Sequence, residues 1–239
     1  MVSDSKQAAL PGQTLLSCPP LARTEAFRFH CHPGVSCFRE CCRALDLSLS
    51  PYDVLRLRKS LGISSQSFLD HYAVVEFGPE DRYPQVYLAM VDDGRASCPF
   101  IGPEGCQVYA DRPGACRIYP LGRGVSLAQG ETKEQFILLR EGHCQGFEED
   151  QTQTVDAWQQ DQQLIDYNQS NDQLIPLLAG TGEQGRRLSA EEGQLFIETL
   201  YTLEDFQRRI EGERPPTEPT LDEEELLLTR AINWLRGQW

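Results

Sequence analysis

Residues 31–42, CHPGVSCFRECC, hold four of the chain's nine cysteines, with His30 and His32 on either side of the first. The others are Cys18, Cys98, Cys106, Cys116 and Cys144, and no cysteine follows. A thiol ligates a soft metal as the thiolate. Arg39, Arg43, Arg112 and Arg117 stand next to cysteines, where positive charge favours that form. The eight cysteines from Cys31 to Cys144 suffice for two four-thiolate sites, for one larger cluster, or for one site with spare buried thiols. Spacing removes some chemistries. No C-x2-C occurs, which weighs against zinc ribbons, RING-type sites and thioredoxin-like redox centres. The C-x3-C-x2-C pattern of S-adenosylmethionine radical enzymes fails because Ala44 stands where its third cysteine belongs. The Cys98–Pro99 step is compatible with an iron–sulfur ligand. In extended backbone Cys41 and Cys42 point to opposite faces, so the pair is expected to serve two metals or two roles.

The elements that must position these residues follow from periodicity and caps. SPYDVLRLRKSLG reads as a helix, with Ser50 as N-cap, Pro51 at its first position and Gly62 beyond its end. SSQSFLDHY reads as a second, short helix. AVVEFG, QVYLAMV and EQFILLR are strand-like, and DDG after the second marks a turn. From TVDAWQQDQQLIDYNQSNDQLIPLLAG onward the pattern turns helical, with Val155, Trp158, Leu164, Ile165 and Tyr167 offered as one apolar side. SAEEGQLFIETLYTLEDFQRRIEG continues it, ERPPTEPTLDEEE interrupts it, and ELLLTRAINWLRGQW ends the chain as an amphipathic helix. The expected fold class is α+β: an irregular, metal-organised cysteine-rich domain with short helices and a small antiparallel sheet, then a helical part. The expected boundaries are a flexible tail at 1–22, the cysteine domain at 23–150 and the helical region at 151–239.

Charge and composition bound the partners. With 239 residues, 40% of them hydrophobic, the chain can build one sizeable core. Its formal charge of −14, from 22 basic and 36 acidic residues, disfavours nucleic acid and anionic membrane surfaces. No apolar run reaches the roughly 18–20 residues of a membrane span, and the first residues lack the pattern of a secretory signal. The expected location is cytoplasmic, with reduced thiols that bind metal or act in catalysis rather than forming disulfides.

Other candidates carry less. GTGEQG at 180–185 matches G-x-G-x-x-G but follows a helical segment rather than a strand, so it reads as a helix end and turn. His30, His32 and His143 flank cysteines and read as neighbours or outer-sphere donors more than as ligands. His71 reads as a helix-terminal residue. No Ser/His/Asp constellation or pair of catalytic carboxylates stands out.

Taken in order, FRFHCHPGVSCFRECCRALDLSLSPYDVLRLRKSLGISSQSFLDHY, CPFIGPEGCQVYADRPGACRIYPL and HCQGF resemble the YkgJ-type cysteine-cluster proteins, over roughly residues 27–147. That resemblance implies a zinc- or iron-chelating domain. It makes Cys31, Cys37, Cys41, Cys42, Cys98, Cys106, Cys116 and Cys144 the candidate ligands of zinc, iron or an iron–sulfur cluster. The C-x5-C-x3-C-C spacing is longer than in compact members, and Cys18 falls outside the motif. Some members of the wider family are lysine N-methylases, which brings an iron–sulfur-dependent group-transfer enzyme into view. No local motif places this chain in that branch. A metal-stabilised module that binds a protein partner through the acidic helices is a further reading.

Overall fold

The computed structural model describes residues 19–128, 131–180, 186–212 and 219–239. Cys18, the 181–185 part of the glycine-rich turn and the 213–218 part of the proline-rich break lie outside the described residues. The fold is α+β, with small antiparallel sheets in the cysteine-bearing part and mostly helices after it.

Helix α1 (Pro51–Leu61) begins where the sequence places it. Ser50 and Asp53 form a reciprocal capping box, and Gly62 closes the helix at φ 66°, a left-handed conformation that suits glycine. Helix α2 (Ser65–Tyr72) is capped by Ser64. It leads into the hairpin of β3 (Ala73–Glu76) and β4 (Gln85–Leu88). The largest sheet runs in the order β1 (Pro20–Leu21), β8 (Glu131–Leu138), β7 (Leu121–Ala128). A short pair joins β2 (Ala26–Arg28) to β9 (Thr152–Thr154), and β5 (Ile101–Gly102) with β6 (Gly105–Cys106) makes a tight hairpin. Helix α3 (Gly114–Ile118) lies between that hairpin and β7.

The helical segment after β9 is broken rather than continuous. Gln163, at φ 53°, separates α4 (Val155–Asp161) from α5 (Leu164–Gly180). Val155, Trp158, Leu164 and Tyr167 are buried as the periodicity predicts, whereas Ile165 is 50% exposed because the break turns α5 out of phase with α4. Helices α6 (Ala190–Leu200), α7 (Leu203–Glu211) and α8 (Leu221–Arg236) complete the chain. Among the described residues no helix is long and apolar enough to cross a membrane.

Two hydrophobic clusters organise the molecule. The larger takes Leu55, Leu57 and Phe68 from α1 and α2, Val86 and Leu88 from β4, and Phe196, Phe206, Leu228 and Leu235 from α6, α7 and α8. The smaller joins Phe27, Phe29, Leu121, Phe136, Val155, Trp158 and Leu164. Buried charge ties α1 to the C-terminal helices. The Arg58 guanidinium pairs with the Glu224 carboxylate, which also accepts from Lys59 Nζ at 2.9 Å, and Glu204 lies 3.6 Å from Arg58.

Candidate metal centre

The eight candidate thiols come from four stretches of chain, and backbone pairing draws the stretches together. Cys41 and Cys42 end a 3-10 turn (Glu40–Cys42) that is entered through Arg39 at φ 75°. The extended-backbone premise for this pair therefore does not hold. With about three residues per turn, neighbouring side chains stand about a third of a turn apart, and the Cys41 thiol lies against that of Cys42. From Cys42 the chain runs antiparallel to the 96–98 stretch. Ala44 N–H donates to the Ala96 carbonyl at 2.8 Å, and Cys98 N–H donates to the Cys42 carbonyl at 2.8 Å. Cys98 leads into the β5–β6 hairpin, where Cys106 pairs with Ile101. Cys116 rides on α3, whose first amide, Gly114 N–H, donates to Asp53 Oδ1 at 2.7 Å.

The other stretches meet on the smaller core. His30 N–H donates to the Gly146 carbonyl at 2.9 Å, and Gln145 N–H reaches Cys37 Sγ at 3.2 Å. Gly146 has no room for a side chain, since a Cβ there would stand 2.7 Å from the Phe29 ring and 3.1 Å from the His30 carbonyl.

Electrostatics divide the thiols into two groups with a shared element. Burial pushes the Cys31 thiol up to about 11, and the thiols of Cys41, Cys37 and Cys144 add to the rise. Burial likewise pushes Cys116 up to about 12, with Cys98, Asp53, Cys106 and Cys41 contributing. Cys98 and Cys106 are raised mainly by burial, and each also by Cys41. The Cys41 thiol is raised first by its hydrogen bond with Cys42, then by burial. One group is thus Cys31, Cys37 and Cys144, the other Cys98, Cys106 and Cys116, and the Cys41–Cys42 step stands between them. Cys31, Cys41 and Cys116 remain reachable by solvent although protein surrounds them, and none of the eight is in a disulfide.

Crowded thiols that raise one another's pKa need positive charge before they can ionise together. The neighbouring arginines supply little of it directly. Arg39 donates to the carbonyls of Gly102 (2.9 Å) and Pro103 (2.6 Å), which fastens the β5–β6 hairpin to the 3-10 turn. Arg43 donates to Ser97 Oγ. Arg117 is buried and spends its guanidinium on the carbonyls of Arg112 (2.9 Å), Gln162 (2.9 Å) and Ala110. Arg112 lowers the thiol of Cys106, against the larger effect of burial. The arginines act mainly as staples between the segments.

Two observations test the fit of a metal. The Nε groups of Arg39 and Arg43, on either side of Cys41–Cys42, are buried without a hydrogen-bond acceptor, and Arg43 Nε is 3.6 Å from Glu40. Unmet donors of this kind suit an anionic partner such as a metal–thiolate group. In a tetrahedral zinc site with Zn–S of 2.3 Å, sulfurs sit about 3.8 Å apart. Among the described residues no three thiols lie within 4.8 Å of one another, so a mononuclear site requires them to draw in.

The flanking residues have other partners. His143 lies 3.7 Å from Glu141, and His71 Nδ1 is 2.8 Å from the Ser67 carbonyl of its own helix. Two carboxylates near the site were not singled out by sequence reasoning. Glu141 adds its charge to Cys41 and to Tyr119, whose buried hydroxyl makes no hydrogen bond of normal geometry and whose pKa is raised by burial and by Cys144. Glu149 meets His32, Nε2 to Oε2, at 3.2 Å. His32 and Glu149 are 117 positions apart, and no local motif links them.

No curated protein and no solved structure matches the chain. Residues 30–145, which carry all eight thiols, match the family model described as "Putative zinc- or iron-chelating domain".

Proposed function

We propose that this protein binds zinc or iron through Cys31, Cys37, Cys41, Cys42, Cys98, Cys106, Cys116 and Cys144. They act as two thiol groups joined at the Cys41–Cys42 step. The observation that carries this reading is the convergence of unpaired thiols from four distant stretches, held by hydrogen bonds such as Cys98 N–H to the Cys42 carbonyl, His30 N–H to the Gly146 carbonyl and Gly114 N–H to Asp53 rather than by disulfides. Free cysteine is often simply buried, but Cys31, Cys41 and Cys116 keep a solvent-reachable face. When bound, the metal neutralises the thiolates and closes long loops of chain. The protein's own contribution is to position donors, with Arg39 and Arg43 stapling the segments that carry them.

The test is metal analysis of anaerobically purified protein. Zinc or iron above one equivalent per chain, with a large drop in thermal stability on chelation, is the expected result. For scale, structural zinc contributes on the order of 10–16 kcal/mol in zinc-finger peptides. Protein carrying neither metal, with unfolding unchanged by chelator, contradicts the proposal. The wide thiol spacing favours a second reading, an iron–sulfur centre, which spans more space than a single ion and opens the way to group-transfer chemistry. A brown anaerobic sample with broad visible absorbance that dithionite bleaches selects that reading.

A further inference from the structure

Beside the thiols lies a second set of donors with different chemistry. Ligand atoms of His30, His32 and Glu149 fall within 4.8 Å of one another, and all three residues are half-buried. The two imidazole rings face each other at 4.6 Å between centroids. Cys31, between them in sequence, is not one of the trio, and its thiol is raised by burial and by the thiols of Cys41, Cys37 and Cys144.

The surroundings hold this trio in place. His30 N–H is tied to the Gly146 carbonyl, and Phe29 N–H to the Gln151 carbonyl at 3.0 Å. Arg28 grips the carbonyls of Glu148 and Glu149 at 3.1 Å each and Asp150 Oδ1 at 2.8 Å, while the Glu149 carboxylate turns to His32. Gly34 N–H donates to His32 Nδ1 at 3.1 Å, so the neutral ring carries its proton on Nε2 and donates it to Glu149. A Cβ on Gly34 would stand 2.8 Å from that ring.

We propose that His30, His32 and Glu149 form a second metal site, separate from the thiols, for an exchangeable first-row divalent cation such as Zn2+, Fe2+ or Co2+. Two imidazoles and one carboxylate suit these ions, and three protein ligands leave coordination positions open. Two ligands about 2.05 Å from a tetrahedral zinc lie about 3.3 Å apart, and His32 Nε2 and Glu149 Oε2 already stand at 3.2 Å. Taking the cation on Nε2 moves the ring proton to Nδ1 and releases the Gly34 contact. Only His30 then has to close in. The inference does not depend on what the thiols hold, because none of its donors is a cysteine.

The test uses tag-free, full-length protein, purified anaerobically with whatever its thiols carry, and titrated with Co2+ under equilibrium dialysis and visible spectroscopy. The expected result is one further equivalent of Co2+ per chain, with weak d–d bands and no new thiolate-to-cobalt charge transfer. His30→Gln and Glu149→Gln should each weaken this binding by at least about tenfold, a loss that even an outer-sphere partner of a ligand can cause. Both variants should keep the wild-type metal content of the thiols and the wild-type unfolding temperature. Absence of the further equivalent, or its retention at wild-type affinity in both variants, overturns the proposal.

Discussion

The two thiol groups rest on different foundations. Cys98 and Cys106 pack against the larger core, which α1, α2, β4 and the C-terminal helices build together. Cys116 is tied to the same α1 through Asp53. Cys144 packs against the smaller core beside Phe147 and Tyr119, and Cys37 is held by one amide of the 144–146 stretch. A hairpin, an antiparallel crossing and a capped helix fix the first group. Loop-to-loop contacts fix the second. The comparison teaches that a set of candidate ligands can be divided mechanically: one half inherits the rigidity of the main fold, while the other rests on fewer and more local contacts.

The largest expected effect of breaking the firmer half comes from Asp53→Ala. Asp53 is buried and accepts from Ser50 N–H, Ser50 Oγ–H and Gly114 N–H. Removing it leaves a helix cap and a half-buried amide unmet, at a cost of about 2–3 kcal/mol. Chemical denaturation should show that loss, and metal analysis a deficit confined to the part held by Cys98, Cys106 and Cys116. An unchanged denaturation midpoint would mean that α1 does not anchor α3.

Gly146→Ala attacks the looser half. The new methyl must displace Phe29 or strain the 145–147 turn, for about 1–3 kcal/mol. Metal bound near Cys31, Cys37 and Cys144 should fall, with the Cys98 group left loaded. The reverse pattern, measured by metal analysis, would dissolve the distinction between the halves.

Arg39→Ala is expected to have a smaller effect. Two hydrogen bonds from a charged donor to the Gly102 and Pro103 carbonyls disappear, worth about 1–2 kcal/mol in this partly exposed setting. Thermal unfolding should register the change, and metal should exchange faster at the Cys106 side. Arg39→Lys should restore little, because a point charge cannot reproduce the guanidinium fork. Cys18→Ser, outside both groups, should change neither metal content nor solubility; a loss of metal would add a ninth ligand.

Much of the scaffold was legible because its signals are local. Ser50, Pro51, Asp53 and Gly62 specify α1 through cap chemistry alone, and the alternating QVYL run specifies β4. Strand β7 escaped notice because Gly122, Arg123 and Gly124 interrupt its apolar pattern. Its small face instead lets Ile137 approach closely, with 3.0 Å to a Cβ built on Gly122. The break at Gln163 also left no mark in a run of glutamines, which hid the exposure of Ile165. At the candidate site the residue types were readable, since soft donors declare themselves by identity. Their grouping was not. The stretch of Cys31 joins that of Cys144 through His30 and Gly146, and Cys42 meets Cys98, by backbone crossings that no periodicity encodes, and the arginines' work as staples depends on those crossings.

The most direct measurement compares metal retention in two double variants, Cys31→Ser/Cys144→Ser and Cys98→Ser/Cys116→Ser, each purified anaerobically and analysed beside the wild type. The account predicts that each loses only part of the metal, and that the first stays the more stable because the larger core still carries its remaining thiols. Complete loss of metal from both would contradict the division and leave a single indivisible centre.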